Sequence, residues 1–224
     1  MKRLIVIGDL HYGALQSRFR QWVEYTEYPL RYIMTYCQDK GIKQVVFTGD
    51  IFDTHSPSQD LIIRFASFLK KYPSINFHLY LGNHDIYDEN TNSLRLIGYF
   101  MQDTNVFVYH QRTSTIIYGK KITFAPWPID KTEPDSYITF AHIPVKGSQM
   151  ANGRKFHNAA KVKHSYWIIG DLHNYQKGKN WIFPGALHQH RANDDPQRYF
   201  LEVLFADKPK VITHKLPIHY SLYP

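Results

Sequence analysis

The sequence predicts an α/β fold made of two packed sheets with helices outside, and three observations predict it. Apolar runs at Leu4–Ile7, Val45–Phe47 and Phe77–Leu81 each break at or just after a Gly into polar residues, as buried parallel strands do. Between them lie segments with apolar residues at helical spacing. The second half switches to short β-rich runs, which cannot continue the same β-α alternation and call for a second sheet.

The elements follow in chain order. Arg3 to Ile7 is the first strand. Leu30, Ile33, Met34 and Cys37 recur at i, i+3, i+4 and i+7, a helix with one buried face; Pro29 suits its first turn and Gly41 its end. Val45 to Phe47 is the second strand, and Asp53 to Ser58 a polar turn. Ile62, Phe65, Ala66 and Leu69 mark the second helix. Ile75 to Leu81 is the third strand, Gly82 to Asn92 a polar loop, and Ser93 to Met101 a third helix. Val106–Tyr109, Thr113–Tyr118 and Lys121–Ala125 follow as strands, with Gly119-Lys120 as a hairpin turn. Ser136–Ala141, Tyr166–Ile169, Trp181–Phe183, Tyr199–Phe205 and Val211–Lys215 complete the set. No repeat or linker divides residues 1–224, so a single domain is expected.

The 224 residues carry a net charge of +8, which fits either a polyanionic partner or a plain basic surface. A single cysteine, Cys37, excludes an internal disulfide and points to a reducing compartment. The apolar run at the start is too short for a signal peptide, and no stretch approaches a membrane span, so a cytoplasmic chain without membrane contact is expected. Between Ser136 and Gly170 there is no Asp or Glu, but there are Lys146, Arg154, Lys155, Lys161 and Lys163, with His157 and His164. This stretch reads as an exposed loop contacting substrate phosphates, or as an ordinary solvated face.

Five strand ends offer metal-type side chains: Asp9 and His11; Asp50; Asn83 and His84; His142; and Asp171 and His173. Alternate residues of an extended segment point the same way, so Asp9 with His11, and Asp171 with His173, can each direct two donors at one place. Asp50, at the end of the central run, has two oxygens and can bridge two ions. Carboxylate, amide and imidazole together suit Mn²⁺, Fe or Zn²⁺, and the lack of cysteines argues against a structural zinc site.

Gly8-Asp9-Leu10-His11, Gly49-Asp50-Ile51-Phe52-Asp53, Gly82-Asn83-His84-Asp85, His142 and Gly170-Asp171-Leu172-His173 resemble the calcineurin-like metallophosphoesterases over about Leu4 to His190. The resemblance implies a four-layer α-β-β-α sandwich of two packed mixed sheets with helices on both outer faces. It implies two divalent metal ions, Mn²⁺ first, with Mg²⁺, Fe or Zn²⁺ as alternatives. Asp9, His11 and His173 would hold the first ion, Asp50 would bridge, and Asn83, His142 and Asp171 would hold the second. A metal-bridging hydroxide would attack phosphorus, and His84 would protonate the leaving oxygen or bind phosphate, with Asp85 either orienting its ring or capping the loop.

Gly49 to Ser58 and Phe183-Pro184-Gly185-Ala186-Leu187 resemble the SbcD-type DNA repair nucleases. That branch implies exonuclease or endonuclease action on DNA, with an SMC-like ATPase partner and a homodimer; Trp22, Tyr25 and Tyr28 offer a dimer face or core packing. The absence of an Arg in the turn after Asp50, and Asp85 in place of Glu, counts against a protein phosphatase. A small-molecule phosphodiesterase or phosphomonoesterase is the alternative; a third reading, a DNA-binding scaffold with a decayed metal site, is opposed by Asp9, Asp50, Asn83 and His84. The chain departs from the family's Gly-His-x-His by carrying Asp171 in place of the first His. His188-Gln189-His190 has the same spacing, but it follows the Pro-Gly-Ala-Leu element, so a surface or phosphate-facing role is expected for His188, His190 and Arg191.

Overall fold

The computed structural model describes all residues except 18–19, 89–90, 129–132, 157–158, 191–193 and 218–224. Arg191 and His157 therefore lie outside the described residues. Two mixed six-stranded sheets pack face to face. The first runs β12(Lys210–Lys215)-β11(Tyr199–Leu204)-β1(Arg3–Ile7)-β2(Gln44–Phe47)-β3(Asn76–Tyr80)-β4(Val106–Tyr109). The second runs β5(Thr113–Ile117)-β6(Lys120–Ala125)-β7(Ile138–His142)-β8(Tyr166–Gly170)-β10(Trp181–Phe183)-β9(Gln176–Lys177). Strands β1 to β4 are mutually parallel, as are β6, β7, β8 and β10; β5, β9, β11 and β12 are antiparallel to their neighbours.

The strand period sorts side chains between layers. Leu4, Val6, Val46 and Tyr80 of the first sheet meet Ile122, Phe124, Phe140 and Ile168 of the second in the central core. Ile5, Ile7, Val45, Phe47, Phe77 and Leu79 face the other way, against α1(Trp22–Lys40), α2(Gln59–Lys70) and α3(Arg95–Phe100). The two-sheet α/β sandwich is thus as the sequence predicts. Over the outer face of the second sheet, the described residues supply loop and not helix: Ile143, Val145, Phe156 and Ala160 pack on Ala141, Trp167, Ile169 and Phe183.

Two local expectations shift. Helix α1 begins at Trp22, so Pro29 lies inside it and not in its first turn. The extra turns are held by buried Glu27, whose carboxylate accepts a hydrogen bond from the Tyr12 hydroxyl at 2.7 Å and pairs with Arg31 at 3.3 Å. The β5–β6 turn is Tyr118-Gly119, one residue earlier than expected, and both residues have positive φ, as a tight two-residue hairpin requires.

Candidate metal centre

The parallel strands of both sheets end on one side, and the residues just beyond them converge there. The closeness is possible because glycine stands at the crowded ends: a Cβ on Gly82 would overlap the Asp50 carboxylate and amide, and one on Gly170 would overlap the Thr48 carbonyl.

Asp9 and Asp50 are 1% and 2% exposed, and His11 and His142 are buried beside them. Three groups of donors converge: Asp9 with His11 and His173; Asp9 with Asp50 and His142; and His11 with Asp53 and His84. Asp50 Oδ2 lies 3.7 Å from His11 Nε2 and 3.3 Å from His142 Nε2, so it faces both of the first two groups. Asn83 Oδ1 is 3.0 Å from His142 Nε2. Asp9 accepts hydrogen bonds from the Thr48 hydroxyl at 3.0 Å and from the Asp171 amide at 2.9 Å, which fix its carboxylate.

The ring orientations are set from behind. His142 Nδ1 donates to the Thr48 carbonyl at 2.8 Å, which turns Nε2 towards Asp50. His84 Nδ1 donates to the Asp53 carbonyl at 3.1 Å. Asp85 does not orient that ring. It is fully buried and accepts four hydrogen bonds, from the amides of Ile51, Phe52 and Gly82 and the Ser93 hydroxyl, so the loop-capping alternative holds.

The electrostatics call for a cation. Burial raises the Asp9 carboxyl above its usual range against the pull of His142. Burial opposes ionisation of Asp50 too, but the His142 charge and hydrogen bond outweigh it and hold Asp50 below the carboxylate range. His142 is in turn held well above the usual imidazole range, because Asp50, Asp9 and Asp171 together overcome its burial. Burial, and then the Asp50 charge, push Asp85 up to about 6. Two buried carboxylates share one imidazolium, and His11 Nε2 makes no hydrogen bond while facing Asp50. Oxygen and imidazole donors with this excess of negative charge fit hard or borderline divalent ions.

Asp171 stands on the cleft wall and belongs to none of the three convergent groups; its amide, at φ +94°, serves Asp9. His188 and His190 are not on the surface but 3% and 9% exposed. After β10 the chain folds back over β1, with the Leu187 amide donating to the Asp9 carbonyl at 2.9 Å, and this brings the His190 ring to 4.5 Å from that of His11. Asp53 and Asp194 also join the centre. Asp53 Oδ1 lies 3.2 Å from His11 Nδ1. The carboxylate three residues after Asp50 was a visible signal for Asp53, whereas no local pattern marks Asp194.

A cleft of about 410 Å³ opens over the centre, lined by Asp50, Asn83, His84, Asp171 and His173, with Gln149 to Asn152 and Phe156 opposite. The opposite wall is a small hairpin, closed by the Gln149–Lys155 bridge and tied to β9 by two hydrogen bonds between Gln149 and Gln176. Arg154 and Lys155 are exposed on its returning arm and Lys146 at its stem. Lys161 and Lys163 are not brought there. They precede β8 at its far end, about 13 Å of strand away from Gly170, beside Glu133, whose carboxylate accepts from the Lys163, His164 and Ser165 amides.

No helix among the described residues is long and apolar enough to cross a membrane. A comparison with curated proteins finds no match. The family model described as calcineurin-like phosphoesterase matches residues 2–175, a span that takes in all three convergent groups, and the chain belongs to that family of metal-dependent phosphoester hydrolases.

Proposed function

We propose that this chain is a two-metal-dependent nuclease that hydrolyses phosphodiester bonds of DNA. What supports the DNA reading is the cleft wall: the hairpin whose Gln149 to Asn152 line the cleft comes from a stretch without a single carboxylate and carries exposed Arg154 and Lys155 on its returning arm, in a chain of net charge +8. Cations so placed would neutralise backbone phosphates on either side of the bond being cut.

In this reading Asp9, His11 and His173 hold one ion, and Asp50, Asn83 and His142 hold the other, with Asp50 facing both. Divalent ions held there supply Lewis-acid stabilisation of a phosphoryl group and a source of hydroxide at neutral pH. The remaining work falls to side chains. The Asp53 carbonyl holds the Nδ1 proton of His84 and so orients the ring; in the doubly protonated imidazolium, Nε2 carries the second proton, which passes to the departing oxygen and leaves the neutral ring behind. Thr48 and the Asp171 amide hold Asp9 still, and Asp85 holds the turns that carry Asp50 and Asn83.

The test is Mn²⁺-dependent cleavage of linear duplex DNA, single-stranded DNA and a chromogenic nitrophenyl phosphodiester. Metal-dependent cleavage of DNA is expected, and His84→Ala should lose ~10²–10⁴ in rate on DNA but much less on the nitrophenyl ester, whose leaving group needs no proton. Turnover of the small ester with intact DNA would overturn the nuclease reading in favour of a small-molecule phosphodiesterase.

A further inference from the structure

We propose that Asp194 is a positioning residue of the metal centre: its carboxylate holds the His173 ring so that Nε2 is presented to Asp9 and His11. The proposal rests on the metal-centre reading above, and not on the identity of the substrate.

Asp194 Oδ2 lies 3.5 Å from His173 Nδ1, and its side chain is 2% exposed. A ring nitrogen engaged from this side leaves the opposite one for the convergent group of Asp9, His11 and His173. Metal-binding imidazoles are commonly fixed by a carboxylate on the second nitrogen, which sets the tautomer and makes the ring a better donor. His142 is fixed instead by the Thr48 carbonyl, so the two imidazoles on the two sides of the centre have different supports.

The carboxylate is itself over-determined. The His190 amide donates to the same Oδ2 at 3.0 Å, and Gln189 Nε2 donates to the Asp194 carbonyl at 3.2 Å. Arg198, with a side chain 8% exposed, closes a ring: Nη2 is 3.9 Å from Asp194 Oδ2, while Nη1 donates to the His173 carbonyl at 2.8 Å. His173 is thus gripped at its ring by Asp194 and at its backbone by the cation that faces Asp194. Buried charges in such a ring lose much if one member is removed, so the arrangement resists drift. These five residues come from β8's trailing loop and from the segment between β10 and β11, so the fold-back after β10 has a use beyond packing.

The experiment is a double-mutant cycle read by calorimetric Mn²⁺ titration of the full chain. Asp194→Asn keeps an acceptor for the His190 amide but removes the charge beside His173. It is expected to weaken one of the two ions about 10–100-fold, and to cause no further loss in a His173→Ala background. An equal loss in both backgrounds would mean that Asp194 acts on the fold at large, and unchanged affinity would mean that it does not act on the ion; either result overturns the proposal. A wild-type chain that binds no Mn²⁺ would instead refute the metal-centre reading. Should Asp194→Asn not fold, ¹⁵N NMR of the metal-free wild-type chain reads the same contact: a proton on His173 Nδ1 is expected, and a neutral ring protonated on Nε2 overturns the proposal.

Discussion

Asp85 offers the sharpest separation between a structural and a catalytic role. One carboxylate, fully buried, accepts from Ile51 and Phe52, which directly follow Asp50, and from Gly82, which directly precedes Asn83; it also accepts from Ser93. Asp85→Ala would leave three backbone amides and one hydroxyl buried without partners. At about 1–3 kcal/mol for each unsatisfied group, the three amides alone cost on the order of 3–9 kcal/mol. Water entering the space left by the carboxylate would reduce this to the low end, about 3 kcal/mol, still a large part of the roughly 5–15 kcal/mol that holds a domain together. Asp85→Asn should rescue little, because it keeps one acceptor oxygen and turns a donor towards amide donors.

The assay is urea unfolding of the metal-free chains at neutral pH, followed by Mn²⁺ titration. Both variants should unfold at lower urea than wild type, and Asp85→Ala should also bind Mn²⁺ more weakly, since the turns carrying Asp50 and Asn83 lose their common anchor. An Asp85→Ala chain with unfolding free energy within about 1 kcal/mol of wild type, but with slowed turnover, would refute this reasoning and return Asp85 to the part of orienting His84.

Gly82→Ala should fold poorly or lose Mn²⁺ binding, because its Cβ would displace the Asp50 carboxylate; wild-type binding by calorimetry would show that the turn can yield. Asp171→Ala should weaken the second ion less than about tenfold, since the carboxylate stands outside the convergent groups; a drop in stoichiometry to one ion would make Asp171 a ligand after all. His78 supplies the pH dependence. Buried between the sheets, it donates from Nε2 to the Gln44 side-chain oxygen and accepts at Nδ1 from the Tyr109 hydroxyl, and burial, which disfavours the charged ring, lowers its pKa from 6.5 to about 4. Its folded value is below its unfolded one, so only the unfolded chain gains a proton as pH falls through 6.5. The stability it contributes is present above pH 6.5 and lost towards pH 4, on the order of 3 kcal/mol. His78→Gln should flatten the stability curve between those pH values, and an unchanged slope would place the titration elsewhere.

The parts of this molecule that could be read from sequence are those whose cause is local. A buried strand that ends in a polar donor announces both its burial and the side chain it delivers, which is why Asp9, Asp50, Asn83 and His142, at or just past strand ends, and His173, two residues after Asp171, could be read along with the parallel strands beneath them. Pro29 misled because a missing amide is tolerable wherever the turn is supported otherwise, here by Glu27 with Tyr12 and Arg31. Lys161 and Lys163 misled because composition gives a charge but not the end of the strand it occupies. Asp194 was not legible at the centre: Arg198 is its neighbour four residues on, but His173 meets it only through the fold-back after β10, and no spacing rule encodes that path.

The distribution of charge gives these errors a common origin. The chain has 27 Lys and Arg against 19 Asp and Glu, yet Asp9, Asp50 and Asp53 stand in the convergent groups and Asp171 and Asp194 line the cleft over them. A basic average conceals an acidic centre. Without a cation, that centre would repel a phosphate that the surrounding surface attracts, because carboxylates at contact distance in a partly buried cleft are little screened, whereas exposed charges beyond a Debye length, roughly 8–10 Å at physiological salt, are largely screened. Asp9, Asp50 and Asp53, the carboxylates of the convergent groups, are what suit the centre to divalent ions, so the surface gathers the polyanion while the centre admits it only once its own charge is met. Sequence composition reports the first of these and strand-end motifs the second. Their separation in space, with the hairpin of Arg154 and Lys155 on one wall and the carboxylates on the other, exists only in the folded chain.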